Sequence, residues 1–320
     1  FPDYMRLDHK AYADVQAFVR EYGVLMESYT VETDYNQTRR SKKSGRRERE
    51  LPGLSPLVYC RFLLDNTAFL SLSDIGEALP EYEEVPIGLR LEYSVQQEYD
   101  RLKKALRKIA QDDRRLWTKI QSAYLNLLTV YPDQPYSQPP ILDPFSREPL
   151  LQPMDTGSYG ALQEKENAIL ELVDRKLRQG ENVLIYTSWV RIDAQKKLQE
   201  LFAQRGYPSQ ILSASVAPKR REAWVEQQLQ KGMRILICNP SVVETGIDLN
   251  AFTTLIYHSI GYNLFTLKQS SRRSWRINQK APRIEVYFLY YRDTMQERAL
   301  ELMSRKMAAA GLIEGGLTDE

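Results

Sequence analysis

The sequence predicts an α/β fold: a parallel sheet with helices on both faces, preceded by a mainly helical region. Three observations predict it. From Gln163 onward, short apolar runs alternate with amphipathic stretches of helical length, the pattern of strand–helix–strand units. The runs Val183–Thr187 and Arg234–Cys238 are apolar at nearly every position, as parallel strands buried on both faces are. Pro132–Pro153 is too rich in proline to be a continuous helix or a central strand, so it reads as a connection. The division expected is 1–160, mainly helical, and 161–320, the α/β region.

Each element follows from its local pattern. His9–Tyr22 places Val15, Phe18 and Val19 on one helical face, and Gly23 breaks it. Thr30–Gly53 is polar and basic and reads as a flexible insertion, while Pro56–Ile75 is apolar enough for a buried helix or helix pair. Val85–Tyr93 alternates like a strand. Ser94, with Gln97 at the capping-box position, opens a helix running through Ile109, and a second helix covers Leu116–Leu128. In the second half, helices are expected at Lys165–Gln179, Ile192–Arg205, Pro218–Gln230, Leu264–Trp275 and Thr294–Ala310. Strands are expected at Val183–Thr187, Ser209–Leu212, Arg234–Cys238, Thr253–His258 and Ile284–Leu289. In open α/β sheets ligands gather at the carboxyl ends of the strands. The segments just after Thr187, Cys238 and His258 are therefore the places to look.

Composition narrows the function classes. Hydrophobic residues are 42% and charged residues 27%, the balance of a soluble globular protein. No apolar run approaches the ~20 residues of a membrane span, and no secretory signal opens the chain. Two cysteines, Cys60 and Cys238, lie far apart, which argues against a disulfide framework or zinc ribbon and for a reducing, cytoplasmic setting. Only His9 and His258 are histidines, so a multi-histidine metal site is excluded by count. The net charge of +2 is too small to identify a polyanionic partner. Its distribution says more: Arg39–Arg49 is a basic block, either a solvated loop or a phosphate-contacting one.

Three segments have the residue types that phosphate chemistry needs. In Gln269–Gln279, Gln269, Arg273 and Arg276 stand at i, i+4 and i+7, one face of a helix. Arginine presents a planar fork of donors that stays charged, suited to phosphate oxygens. Two such groups can stabilise the charge on a transferred phosphoryl group, and a solvated basic helix is the competing reading. Asn239–Leu249 follows a strand directly. Gly246 permits a backbone conformation closed to other residues, and Asp248 can accept from an arginine or a sugar hydroxyl; a plain strand-exit turn is the alternative. Finally, Thr187 and Ser188 end an apolar strand, where they either meet a nucleic-acid backbone or cap the next helix.

In this order, the segments resemble the motifs of superfamily-2 helicase C-terminal lobes, most closely the Snf2 branch. The resemblance covers roughly Gln163–Ala310. The Snf2 pattern Gln-x-x-x-Arg-x-x-Arg-x-x-Gln is met at Gln269, Arg273, Arg276 and Gln279. Thr245–Leu249 resembles the glycine-containing motif that couples nucleotide to nucleic acid, and Tyr262–Gln269 sits where the family has Trp-Asn-Pro. The resemblance implies a RecA-like lobe and an ATP site shared between two lobes. By that analogy Arg273 and Arg276 contact the γ-phosphate as arginine fingers, with Gln269, Gly246 and Asp248 on the nucleotide side. Thr187, Ser188, Asn239, Ser241 and Thr245 touch nucleic acid, which in this family is preferentially double-stranded DNA.

The departures are equally specific. Arg272 and Trp275 stand where the family usually has Asp and His, and Asn239–Glu244 replaces its Ser-Thr-x-Ala-Gly-Gly run. The P-loop pattern Gly-x-x-x-x-Gly-Lys-Ser/Thr is absent, as is an acidic magnesium box. The expectation is the C-terminal half of a motor, inactive alone, with ATP shared with an N-terminal lobe that holds Mg²⁺. A non-catalytic scaffold or nucleic-acid-binding module is the alternative. A sugar-nucleotide transferase lobe is a third reading, without the paired-glutamate ribose clamp it needs.

Overall fold

The computed structural model describes residues 15–31, 44–63, 79–188, 194–243, 247–276 and 279–313. The chain divides into two compact units, Phe1–Ile75 with Glu301–Glu320, and Gly76–Leu300.

In the first unit α1 (Val15–Tyr22) runs into an antiparallel ribbon of β1 (Gly23–Val31) and β2 (Ser44–Leu54). Thr30–Gly53 was expected as a flexible insertion; instead Thr30 and Val31 end β1 and Ser44–Gly53 belongs to β2, while 32–43 lie outside the described residues. Charge does not prevent this, because the ladder bonds join backbone groups only. Tyr22 is buried against Val58, with Phe18, Leu54 and Phe62 packed around it. Its hydroxyl accepts a hydrogen bond from the Arg61 guanidinium at 2.6 Å. Of the apolar stretch Pro56–Ile75, Tyr59–Leu63 forms a short π-helical turn and the residues from 64 lie outside those described.

The second unit contains a six-stranded, all-parallel sheet. Its strands are β3 (Glu81–Leu89), β6 (Val183–Tyr186), β7 (Ser209–Leu212), β8 (Ile235–Cys238), β9 (Thr254–Tyr257) and β10 (Arg283–Tyr291), in the order β3-β10-β9-β6-β8-β7. All residues of β6, β8 and β9 are buried, which is why their sequences run continuously apolar instead of alternating. β3 lies at the sheet edge, where Pro86 costs no ladder bond on the open side. Its full-length register against β10, from Glu81–Arg283 to Leu89–Tyr291, corrects two expectations. The strand begins before Val85, and the sheet crosses the boundary drawn at 160.

Helices α4 (Glu164–Arg178), α5 (Ala194–Gln204), α6 (Arg221–Gln230), α7 (Leu264–Ser271) and α8 (Met295–Ile313) alternate with the strands. This is the RecA-like arrangement of a parallel sheet flanked by helices. Ile169, Leu172 and Val173 of α4 and Leu198 and Phe202 of α5 pack on Val183, Ile185, Ile235, Ile237 and Ile256. Ahead of the lobe, α2 (Tyr93–Asp112) and α3 (Arg114–Val130) form a hairpin around Tyr99, Leu102, Leu106, Ile120, Leu127 and Leu128. The capping box expected at Ser94 does not form, because the helix starts one residue earlier and Gln97 donates to the Tyr93 hydroxyl instead. Asp113 caps α3, accepting from the Arg115 and Leu116 amides at 2.8 and 2.9 Å. The proline-rich connection holds only a small hairpin, β4 (Ile141–Leu142) and β5 (Pro149–Leu151). No helix among the described residues is long and apolar enough to cross a membrane.

Candidate functional site

The loops that leave β6, β8 and β9 meet at one end of the sheet. Ser188 follows β6, and its amide donates to the Ser259 hydroxyl at 2.7 Å while its own hydroxyl donates to the Ser259 carbonyl at 3.0 Å. Asn239 follows β8. Its side-chain amide donates to the Ser188 carbonyl at 3.2 Å, and its oxygen accepts from the Ser241 amide and hydroxyl at 2.9 and 2.7 Å. Ser188 and Asn239, with Gly261, Tyr262, Asn263 and Thr266, line an open cleft of about 150 Å³.

Its floor is rigid. The Tyr186 and Tyr257 rings lie 4.8 Å apart, and Tyr257 stacks on Phe288 at 4.9 Å. The Tyr186 hydroxyl donates to the Ser270 carbonyl at 3.0 Å, and the Tyr257 hydroxyl bonds the Ser270 hydroxyl at 2.5 Å, tying α7 to the sheet. Complete burial pushes both tyrosine hydroxyls well above the ordinary phenol range.

Of the five residues expected to meet nucleic acid, Ser188 and Asn239 line this cleft, and Ser241 is exposed and bonded to Asn239. Thr187 does not reach it. It is fully buried, its amide continues the ladder to Cys238, and its hydroxyl accepts from Gln195 at 2.8 Å. Strand geometry explains the split, since neighbouring residues of a strand point to opposite faces. Thr245 lies outside the described residues, as does Gly246. Ser259, which no motif singled out, is the hub that holds Ser188; its place just past an apolar strand was the available signal.

The arginine segment departs from the single-face helix expected for it. α7 begins at an Asn263 cap, whose side chain accepts from the Thr266 amide, and stops at Ser271. Arg273 and Arg276 therefore sit in the turns that follow, not at successive positions of one helix face. Two causes act together. Ser270 and Ser271 turn their hydroxyls back onto carbonyls of their own helix, at Thr266 and Lys268, which weakens continuation. Three tertiary bonds then hold the chain on another path: Ser274 Oγ to the Leu249 carbonyl at 3.0 Å, Trp275 Nε1 to the Pro80 carbonyl at 2.8 Å, and Gln279 Nε2 to the Asn250 carbonyl at 3.0 Å. The Trp275 ring also lies 5.5 Å from Tyr82, and the Arg272 guanidinium 5.4 Å from the Trp275 ring.

The expected partners nonetheless meet. Arg273 is buried, and its guanidinium donates to Gln269 Oε1 at 3.3 Å. Arg276 is about one-third exposed and forms an ion pair with Asp248. The segment after α7 thus carries two separate pairs, buried Arg273 with Gln269 and part-exposed Arg276 with Asp248. Among the described residues no group of three or more His, Cys, Asp or Glu stands ready to hold a metal ion.

Comparison with known proteins places this region. The family model of the helicase conserved C-terminal domain matches residues 164–278. Protein translocase subunit SecA of Fervidobacterium nodosum is 33% identical over 91 residues, a stretch covering 28% of this chain and 10% of that protein. Two solved structures are similar in fold. The C-terminal part of the Fun30 ATPase domain has a TM-score of 0.53 at 14% identity, covering 71% of this chain and 90% of that one. The Sulfolobus solfataricus SWI2/SNF2 ATPase core in complex with dsDNA has a TM-score of 0.52 at 15% identity, covering 74% of this chain and 47% of that one. The match spans only a tenth of the translocase subunit and about half of the archaeal core. Residues 164–278 of this chain thus match the helicase conserved C-terminal domain, and the two solved structures share the RecA-like fold of the region around it.

Proposed function

We propose that this lobe is the arginine-bearing half of the ATP site of a nucleic-acid translocase of Snf2 type. The observation that carries the reading is that Arg273 and Arg276, in the segment after α7, pair with Gln269 and Asp248, although the helix ends before either arginine. A scaffold has no need of two such pairs.

In this reading Arg276 leaves Asp248 for the γ-phosphate when a second RecA-like lobe delivers nucleotide, and Asp248 turns to the ribose. Arg273, already oriented by Gln269, adds a second fork. ATP with its Mg²⁺ supplies the phosphoryl group; the residues here neutralise the charge that develops on it. The Ser188–Asn239 cleft contacts the nucleic-acid backbone through hydroxyl and amide groups, contacts that position without reading sequence. Thr187 supports that surface from beneath rather than touching the ligand. Double-stranded DNA is the proposed track. The archaeal neighbour is described with dsDNA, while the likeness to a protein translocase subunit offers protein as the competing cargo.

The test uses the full-length protein. Arg276→Ala should lower DNA-stimulated phosphate release by about 10³-fold or more while DNA affinity stays near wild type. Near-normal turnover removes the arginine-finger role. Stimulation by an unfolded polypeptide and not by DNA replaces the track.

A further inference from the structure

The sequence gives no reason to expect a lysine inside this lobe, yet the Lys165 side chain is 1% exposed. Its ammonium has three donors and meets three acceptors: Asp133 Oδ1 at 2.6 Å, Gln296 Oε1 at 2.7 Å and the His258 carbonyl at 3.0 Å. The Tyr291 ring lies 4.8 Å away. The acceptors are themselves held. Gln296 donates to Asp133 Oδ2 at 2.9 Å and to the Thr129 carbonyl at 3.0 Å, and its oxygen also accepts the Tyr291 amide at 3.2 Å. The end of α3, the start of α4, the exits of β9 and β10 and the start of α8 are thereby joined at one nitrogen.

We propose that Lys165 is a positioning residue: its ammonium holds the His258 carbonyl and, through that peptide group, fixes Ser259 and the Ser188 wall of the cleft. The peptide between His258 and Ser259 is planar, so the direction of its carbonyl sets where Ser259 begins. Ser259 in turn receives both the amide and the hydroxyl of Ser188, and the Ser188 carbonyl receives Asn239. A polar chain thus runs from the α3 end to the cleft without a gap.

The ion pair itself is a poor way to gain stability. Buried pairs are commonly matched or bettered by apolar residues of similar volume. An apolar pair fills the space but offers His258 no donor. Direction at one carbonyl is what the charged pair adds.

The functional part of this inference rests on the cleft being a nucleic-acid contact, so the experiment has two arms. The full chain carrying Lys165→Met with Asp133→Leu is compared with wild type by amide hydrogen exchange and by anisotropy of a short fluorescent DNA duplex. The expected result is exchange about tenfold faster at the Ser188 amide, with the β6 amides as protected as before. Duplex affinity should fall by about fivefold. Unchanged protection at Ser188 overturns the proposal. So does a parallel loss along all of β6, because that is what a purely structural role produces. Faster exchange at Ser188 with undiminished duplex affinity separates the wall from binding and overturns the functional link. A wild-type chain that binds no duplex, with Ser188 still released in the variant, sinks the nucleic-acid reading and supports the positioning. If the apolar pair fails to fold, Lys165→Gln with Asp133→Asn, a neutral polar pair too short for the His258 carbonyl, takes the same measurements with the same outcomes.

Discussion

The cleft at the ends of β6, β8 and β9 and the arginine turn after α7 hold their polar groups in opposite ways. In the cleft the groups bond one another: Ser188 to Ser259 twice, Asn239 to Ser188 and to Ser241, above a floor of stacked tyrosines. At the turn the backbone is pinned, but the charge that faces solvent has one carboxylate partner. The Arg276 and Asp248 side chains are 35% and 43% exposed. Ion pairs of such exposure contribute ~0–1 kcal/mol, so an incoming phosphate can take the arginine at little cost. One surface is set before a ligand arrives; the other is free to re-pair when one does. On the proposed reading, the first surface would keep its hold on the nucleic acid while the second exchanges partners with nucleotide.

The largest effect should come from the turn. Arg276→Lys keeps a positive charge but replaces the planar fork with a single ammonium. Turnover in the full-length protein should fall by about 10²–10³-fold, or about 3–4 kcal/mol. Stability and duplex affinity should barely move. A lysine variant with half of wild-type turnover means that charge alone suffices there and erases the geometric half of the contrast.

The next effect belongs to the cleft side, and it is one of pH. His258 precedes Ser259 and is buried, and among the described residues its Nδ1 has no hydrogen-bond partner. Burial pulls its pKa from the ordinary 6.5 to about 4, against the attraction of Asp133 and with the added push of Lys165 and Lys197. The folded value lies below the unfolded one. The stability it contributes is therefore complete above about pH 6.5 and is lost as pH falls toward 4. Two and a half units correspond to about 3 kcal/mol. Urea melts at pH 7 and pH 5 should differ for wild type, and His258→Gln should flatten that difference. An equally steep loss in the variant assigns the acid sensitivity elsewhere. Smaller again is Trp275→Phe, which keeps the ring against Tyr82 but loses the bond to the Pro80 carbonyl. It should cost about 1 kcal/mol in a urea melt, and turnover should fall with it because the arginine turn is pinned at that point.

The two regions also differed in how far the sequence revealed them. The strands under the cleft were legible because burial on both faces leaves an unbroken apolar signature, as in Val-Leu-Ile-Tyr of β6 and Ile-Leu-Ile-Cys of β8. Alternation along the strand exit was also there to be read. It allows only one of Thr187 and Ser188 to face the cleft, and Ser188 is that one. The residues of the arginine turn were legible by spacing, but its shape was not. Helical periodicity runs on through Trp275, and what stops the helix is bonding to Pro80, Leu249 and Asn250, groups remote in sequence. Edge strand β3 was placed late because its alternation is blurred, with half-buried residues on both faces. Lys165 was invisible for a different reason: a lone lysine beside glutamates at a helix start reads as a solvated end, and only the fold brings Asp133 and Gln296 to it.

The smallest predicted effect is the sharpest check on the idea that the turn is free to re-pair. Asp248→Asn removes the charge that holds Arg276 while keeping a carbonyl oxygen able to accept from it. Because both side chains are substantially exposed, stability should change by less than ~0.5 kcal/mol. In the full-length protein the same change should leave maximal turnover near wild type, since Arg276 is then already released toward the phosphate. The KM for ATP should rise, because Asn accepts from a ribose hydroxyl less strongly than a carboxylate does. Steady-state kinetics at saturating DNA separate the two constants. A collapse of turnover with unchanged KM would mean that Asp248 orients Arg276 through catalysis instead of yielding it, and the turn would then be as fixed in advance as the cleft.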